Sequence, residues 1–312
     1  MANHNKMLAF VFPGQGSQSV GMMQGWGERP EVRFTFSEAS DALGQDLWAL
    51  VTEGPVDLLN QTIHTQPAML AADIAVWRVW RAAGGVQPAL LAGHSLGEYA
   101  ALVAAGALEF SDAIQLVRFR AEAMQAAVPE GVGAMAAILG LDDAAVRAVC
   151  ADAAESEVVE PVNFNSPGQV VIAGNKAAVE RAMVLAKERG AKRALSLPVS
   201  VPSHSSLMLP AAEKLLTHLQ TVTITAPAIP VLHNADVQSH AEPDAIRAAL
   251  ARQLHTPVRW VETVQALKAA RMERVIECGP GKVLAGLSKR IDDSLPVLAL
   301  VDVASLQAAL IQ

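Results

Sequence analysis

Ser95 stands between Gly93 and Gly97 in the run Leu-Ala-Gly-His-Ser-Leu-Gly-Glu-Tyr-Ala-Ala-Leu-Val, residues 91–103. An apolar, strand-like stretch, Pro88–Ala92, precedes the pattern, and an alanine-rich helical stretch, Glu98–Leu108, follows it. A strand that turns at once into a helix sets one residue on a tight bend, where flanking glycines remove Cβ atoms that would collide. The serine hydroxyl then projects from the sheet edge, beside the unpaired N–H groups and partial positive charge of a helix start. That placement suits a nucleophile. Gly-x-Ser-x-Gly alone arises by composition in about one chain in ten of this length, so an idle serine in a glycine-rich turn competes with it.

A serine nucleophile needs a proton acceptor, and histidine is the usual one. Of the eight histidines, His94 adjoins the serine but points away from it on the bend. His4 lies at the terminus, and His218 and His240 stand in polar sequence. His204, in Pro198-Val-Ser-Val-Pro-Ser-His-Ser-Ser206, sits on a proline-stiffened loop and is the best candidate base. Many acids lie between Ser95 and His204, and spacing singles out none of them to orient the histidine. Arg120 lies on the stripe Ala113, Leu116, Arg120, Ala123, Ala127 of a helix running from Ser111, its N-cap, to Val128. A guanidinium on a small, apolar stripe needs a partner, and its planar fork matches a carboxylate. Arg118 reads instead as a solvated side chain. Pro13-Gly-Gln-Gly-Ser-Gln18 is glycine-rich but lacks the lysine of a phosphate-binding loop.

These residues require a scaffold of strands and helices. Met7–Phe12 reads as a buried first strand, and helical pattern fills about 30–83, with breaks at Gly44, Gly54-Pro55 and Gln66-Pro67. From Ala134 the order is strand 134–139, helix 142–154, strands 158–165 and 169–174, helix 176–190 and strand 194–197. This β-α-β-β-α-β order is that of a ferredoxin-like unit, flanked by proline and glycine at both ends. The chain is therefore expected to be α/β, with a large, mostly parallel, α/β-hydrolase-like subdomain of residues 1–128 and 199–312 and an inserted ferredoxin-like subdomain of residues 129–198. Later strands are expected at 229–232, 274–277 and 297–300. Hydrophobic residues at 52% against 18% charged leave ample material for a buried sheet and exclude disorder. A net charge of −7 argues against nucleic acid as a partner. The first apolar run is too short for a secretory segment, and none approaches the ~18 residues of a membrane span. Cys150 and Cys278 have no metal spacing and read as reduced thiols in a cytoplasmic protein.

Five motifs, in order along the chain, carry a family resemblance: Phe12-Pro-Gly-Gln-Gly-Ser-Gln18, Gly93-His-Ser-Leu-Gly-Glu98, Phe164-Asn-Ser-Pro-Gly-Gln-Val-Val-Ile-Ala-Gly174, Val199-Ser-Val-Pro-Ser-His204 and Gly279-Pro-Gly-Lys-Val-Leu-Ala-Gly-Leu287. Together the sequence resembles the malonyl-CoA:acyl-carrier-protein transacylases of bacterial fatty acid synthesis. The resemblance implies ping-pong transfer of malonyl from coenzyme A to carrier-protein phosphopantetheine through an ester on Ser95, with His204 as base. It implies an oxyanion hole from the N–H groups of Gln15 and Leu96, and Arg120 as the anchor of the malonyl carboxylate. It further implies that main-chain carbonyls near Asn234 and Gln253 orient His204 in place of an acid. His94, Asn165 and Gln66 are expected among the pocket residues. The segment around Gln253 departs from the family, which commonly has Tyr or Asn in place of His255 or Thr256.

No bound metal or cofactor is expected, and the protein is expected to be a monomer away from nucleic acid and membrane. Carrier proteins are acidic, so docking of carrier or CoA phosphate is assigned to basic stretches, with Lys187, Arg189, Lys282, Lys289 and Arg290 as candidates against the commoner reading of solvated helix faces. The competing functions are a serine esterase or thioesterase, the same transfer serving polyketide or malonate metabolism, and a non-catalytic carrier-binding module. The last predicts a damaged Ser–His pair, and both residues are present.

Overall fold

The computed structural model describes residues 8–129, 131–199 and 201–311. Residues 1–7, with His4 and the expected strand start at Met7, and Glu130, Ser200 and Gln312 lie outside the described residues. Nine strands form two sheets among the described residues: β1 (Leu8–Phe12), β2 (Leu90–Gly93), β3 (Gly133–Leu139), β4 (Val159–Ser166), β5 (Gln169–Asn175), β6 (Arg193–Ser196), β7 (Val231–Leu232), β8 (Arg274–Cys278) and β9 (Val297–Leu300).

The first sheet has the order β7-β2-β1-β8-β9, and every neighbouring pair is parallel. Its strands are short apolar runs because both faces are covered by helices. Alternate residues of β1 serve opposite cores: Phe10 and Phe12 pack with Trp77 and Trp80, while Ala9 and Val11 pack with Trp260 and Val264. Phe12 pairs with Gly93, so the loop after β1 and the bend after β2 emerge side by side at the carboxyl edge of the sheet. In open α/β sheets that edge is where ligands bind.

The second sheet, β4-β5-β3-β6, is antiparallel, the strand order of a ferredoxin-like unit. Helices Asp143–Ala154 and Lys176–Glu188 cover one face, burying Val146 and Val179 against Ile138 and Ile172. The opposite face carries Met135, Val162, Val171 and Ala173, with Leu197 and Val199 packed on them.

Several local expectations are corrected. Helix Thr62–Ala82 runs through Pro67 without a break. Pro67 falls in its second turn, where one intrahelical donor is lost and tertiary burial of the helix outweighs that loss. The Arg120 helix begins at Phe110, not Ser111, and its N-cap Glu109 makes no side-chain cap bond. The elbow helix ends at Ala104, not near Leu108, because Gly106 adopts a left-handed φ of 71° and closes it. Strand β7 is shorter than expected at its start, since Pro230 has no N–H to donate.

Candidate active site

The bend after β2 is sterically specified. A Cβ on Gly93 would lie 1.9 Å from the Gly97 carbonyl carbon, and one on Gly97 would lie 2.1 Å from the Phe12 carbonyl oxygen. Only glycine at both positions lets strand, bend and helix approach so closely. Ser95 takes a left-handed φ of 52°, unusual for a residue with a side chain and a form of strain that collects at functional sites. Asn234, two residues after β7, holds the bend: Oδ1 accepts the Ser95 N–H at 2.7 Å and Nδ2 donates to the Gly93 carbonyl at 2.6 Å.

His204 also has a left-handed φ, 66°, and is 3% exposed. Its Nε2 lies 2.8 Å from Ser95 Oγ, and its Nδ1 lies 2.7 Å from the Gln253 carbonyl oxygen. A carbonyl oxygen only accepts, so Nδ1 carries the proton and Nε2 is free to accept from the serine. Burial, then the neighbouring Arg120 charge, push the His204 pKa down to about 3. At neutral pH the imidazole is therefore uncharged and available as a base.

Arg120 is 2% exposed. Its Nη1 donates to Gln66 Oε1 at 2.7 Å and its Nη2 to Gln253 Oε1 at 2.9 Å, with Ser95 Oγ 3.4 Å from Nη2. Among the described residues no ion pair includes it, and its Nε has no partner. The Tyr99 ring centroid lies 5.5 Å from its guanidinium carbon. Burial pulls the Arg120 pKa down, and Tyr99 and Glu98 oppose that pull. A buried guanidinium held only by amides is open to a carboxylate brought by a ligand.

The loop after β1 closes the site. A Cβ on Gly14 would lie 2.4 Å from the His94 carbonyl oxygen, so loop and elbow are in backbone contact. Neither the Gln15 nor the Leu96 N–H has a protein acceptor among the described residues. Both stand beside Ser95 as free donors for an oxyanion. The Gln15 side chain is tied into the wall: Thr62 Oγ1 donates to its Oε1 at 3.1 Å, and Gln66 Nε2 donates to the same Thr62 oxygen at 2.9 Å. A cavity of about 220 Å³ opens over these groups, lined by the polar Gln15, Ser95, Arg120 and His204 and by the apolar Leu96, Met124, Met135, Leu197 and Val199.

The profile of the acyl transferase domain family matches residues 9–307. A malonyl CoA-acyl carrier protein transacylase of Escherichia coli strain K12 is 58% identical over 97% of this chain and 98% of its own. The chain belongs to this family. An acyl carrier protein S-malonyltransferase crystal structure from Vibrio cholerae superposes with a TM-score of 0.94 at 60% identity, over 97% of this chain and 99% of that one. The malonyl-transacylase in a solved complex with its type II PKS acyl-carrier protein superposes with a TM-score of 0.96 at 55% identity, over 97% of this chain and 98% of that one. The enzyme is thus an acyltransferase with a parallel α/β sheet and a small antiparallel one.

Within that frame most sequence-predicted residues converge. Ser95, His204, Arg120, Gln15, Leu96, Gln66 and Gln253 surround one point. His94 lines the cavity but turns its ring from the serine, and its Nε2 meets Oδ1 of Asn165, which lies behind it and does not line the cavity, at 2.8 Å. Asn234 is a correction: its amide holds the elbow backbone, and of the two expected positions only Gln253 supplies a carbonyl to His204. Lys187 and Arg189 do not join this group. Their helix covers the face of the antiparallel sheet opposite Met135, away from the cavity, and Arg189 pairs with Asp152. Lys282 does lie near the site, since a Cβ on its neighbour Gly281 would lie 3.5 Å from Ser17 Cβ in the loop after β1, and Lys289 and Arg290 are exposed at the end of the helix that follows. Sequence reasoning missed Thr62 and Glu98. The glutamate was visible as the last residue of the elbow motif, but its partners lie more than a hundred residues away.

Proposed function

We propose that this chain transfers malonyl from malonyl-CoA to the phosphopantetheine thiol of an acyl carrier protein through an ester on Ser95, in fatty acid biosynthesis. The observation that carries the reading is Arg120, a buried cation with amide partners only, 3.4 Å by Nη2 from the Ser95 hydroxyl. A malonyl group bound as an ester on Ser95 would place its free carboxylate within reach of that cation.

His204 Nε2 takes the Ser95 proton as Oγ attacks the thioester carbonyl, and the oxyanion lies between the Gln15 and Leu96 N–H groups. Collapse breaks the carbon–sulfur bond, and the imidazolium returns its proton to the departing coenzyme A sulfur. The carrier thiol then gives its proton to His204 and attacks the ester, and Ser95 leaves with that proton. Each transfer is served by side chains and backbone of one chain, which supports a monomer without a bound cofactor. The two buried, unpaired cysteines support a reducing, cytoplasmic setting. Residues 129–198 form the inserted subdomain in this reading, and Lys282, Lys289 and Arg290 are the cations left to meet an acidic carrier. The polyketide-carrier relative at 55% identity makes transfer to a polyketide carrier the second reading.

Mass spectrometry after mixing with malonyl-CoA tests the proposal. A malonyl adduct on Ser95, stable in buffer and discharged by holo-carrier protein, is expected. Discharge by water at the same rate points to a thioesterase, and no adduct on Ser95 overturns the mechanism.

A further inference from the structure

We infer that Glu98 is the positioning acid of this site, acting one residue removed from the base; this rests on the acyl-transfer reading above. Among the described residues no carboxylate touches His204, whose orienting partner is the Gln253 carbonyl. Gln253 is in turn held through its side chain. Its Nε2 donates to Glu98 Oε2 at 2.9 Å and to the Ser95 carbonyl at 2.9 Å, while its Oε1 accepts from Arg120. Glu98 Oε2 also accepts the Asn234 N–H at 2.8 Å, and Asn234 accepts the N–H of Ser95. The other oxygen, Oε1, meets His233 Nδ1 at 2.7 Å.

One carboxylate thus fixes the residue that orients the base and anchors the guanidinium, and the residue that clamps the elbow. Glu98 is fully buried, as are His233, Asn234 and Gln253. A buried carboxylate is costly unless its lone pairs are used, and here three donors converge on it, two from the turn after β7 and one from the end of the helix Pro243–Gln253. All three bonds are directional, so the position of the two oxygens sets the position of the donors. Glu98 acts through geometry: it is a positioning residue that touches no substrate.

Two conservative variants separate geometry from charge. Glu98→Gln keeps the shape. Its carbonyl oxygen can accept from Asn234 and Gln253, and its NH₂ can donate to His233 Nδ1 once that imidazole moves its proton to Nε2. Glu98→Asp keeps the charge but withdraws both oxygens by about 1.5 Å, one carbon–carbon bond. Misplacement of about an ångström at a catalytic group can cost on the order of 100-fold. Single-turnover formation of malonyl-Ser95 is the readout, with thermal melts alongside. The expected order is Glu98→Gln within about fivefold of the parent and Glu98→Asp slower by about 10- to 100-fold. Binding of malonyl-CoA should change less than the acylation rate. Glu98→Asp within threefold of the parent overturns the inference, and so does Glu98→Gln as slow as Glu98→Asp. A parent that forms no malonyl-Ser95 overturns the acyl-transfer reading instead, so the two failures are distinct.

Discussion

In the proposed transfer, Arg120 is the residue on which substrate choice turns. An amide ligand cannot neutralise a guanidinium, so among the described residues the cation has no carboxylate in direct contact until a ligand brings one. Malonyl supplies a carboxylate there, and acetyl does not. Arg120→Ala is expected to lower malonyl transfer at least 100-fold, the loss of one side of a desolvated pair worth about 3–5 kcal/mol. Acetyl transfer should fall much less, since acetyl never used the charge. Paired assays with malonyl-CoA and acetyl-CoA measure the ratio, and equal losses would remove Arg120 from the carboxylate role. His204 needs no acid beside it for a related reason. Its base is kept neutral by burial and by Arg120, and its tautomer is set by the Gln253 carbonyl.

At the level of elements, the site exists because two β-strand ends meet. The β1 loop brings Gln15, the β2 bend brings Ser95 and Leu96, and glycine-to-backbone contacts hold them in register. Gly14→Ala places a Cβ against the His94 carbonyl oxygen, 2.4 Å away. Asn234 clamps the elbow on both sides of His94, so the Gln15 N–H is expected to shift off its position. The turnover number should fall about 100- to 1,000-fold, the loss typical of one oxyanion donor, with the thermal transition shifted far less. A variant with normal turnover would free the Gln15 loop from that role. The elbow, His204 and Arg120 were legible in the sequence because each carries its signal locally, in glycine spacing, a proline-stiffened loop or a charge on an apolar stripe. The ferredoxin-like strand order was legible too, because each of its elements has its own period. What was not legible depends on distant neighbours. Glu98 meets His233 and Gln253 across long separations in the chain. Pro67 looked like a break because local preference was weighed without the packing of its helix. The distance of Lys187 and Arg189 from the cavity was not legible because a sequence does not say which face of a sheet a helix covers.

Over the whole molecule, buried titrating groups act on stability with opposite signs. His204 has a depressed pKa, so the unfolded chain binds its proton first and stability falls as pH drops below ~6.5. Glu277 is the reverse. Burial, opposed by N–H groups at the start of the helix it caps, raises its carboxyl from 4.5 to about 7. The folded state therefore keeps a proton that the unfolded state releases, and that stabilisation is lost as pH rises from ~4.5 through ~7. The stability difference between parent and Glu277→Gln should shrink between pH ~5 and ~7, by at most ~1.4 kcal/mol per pH unit. Urea melts at three pH values measure it, and a constant difference would contradict the assignment. Tyr99, packed under Arg120, has a consequence of another kind, for it is the single tyrosine among 312 residues. Burial holds its hydroxyl protonated well above the usual range. A fluorotyrosine introduced throughout the chain would therefore give one fluorine resonance, silent to its own titration, whose frequency follows the charge state and occupancy of the carboxylate anchor during turnover.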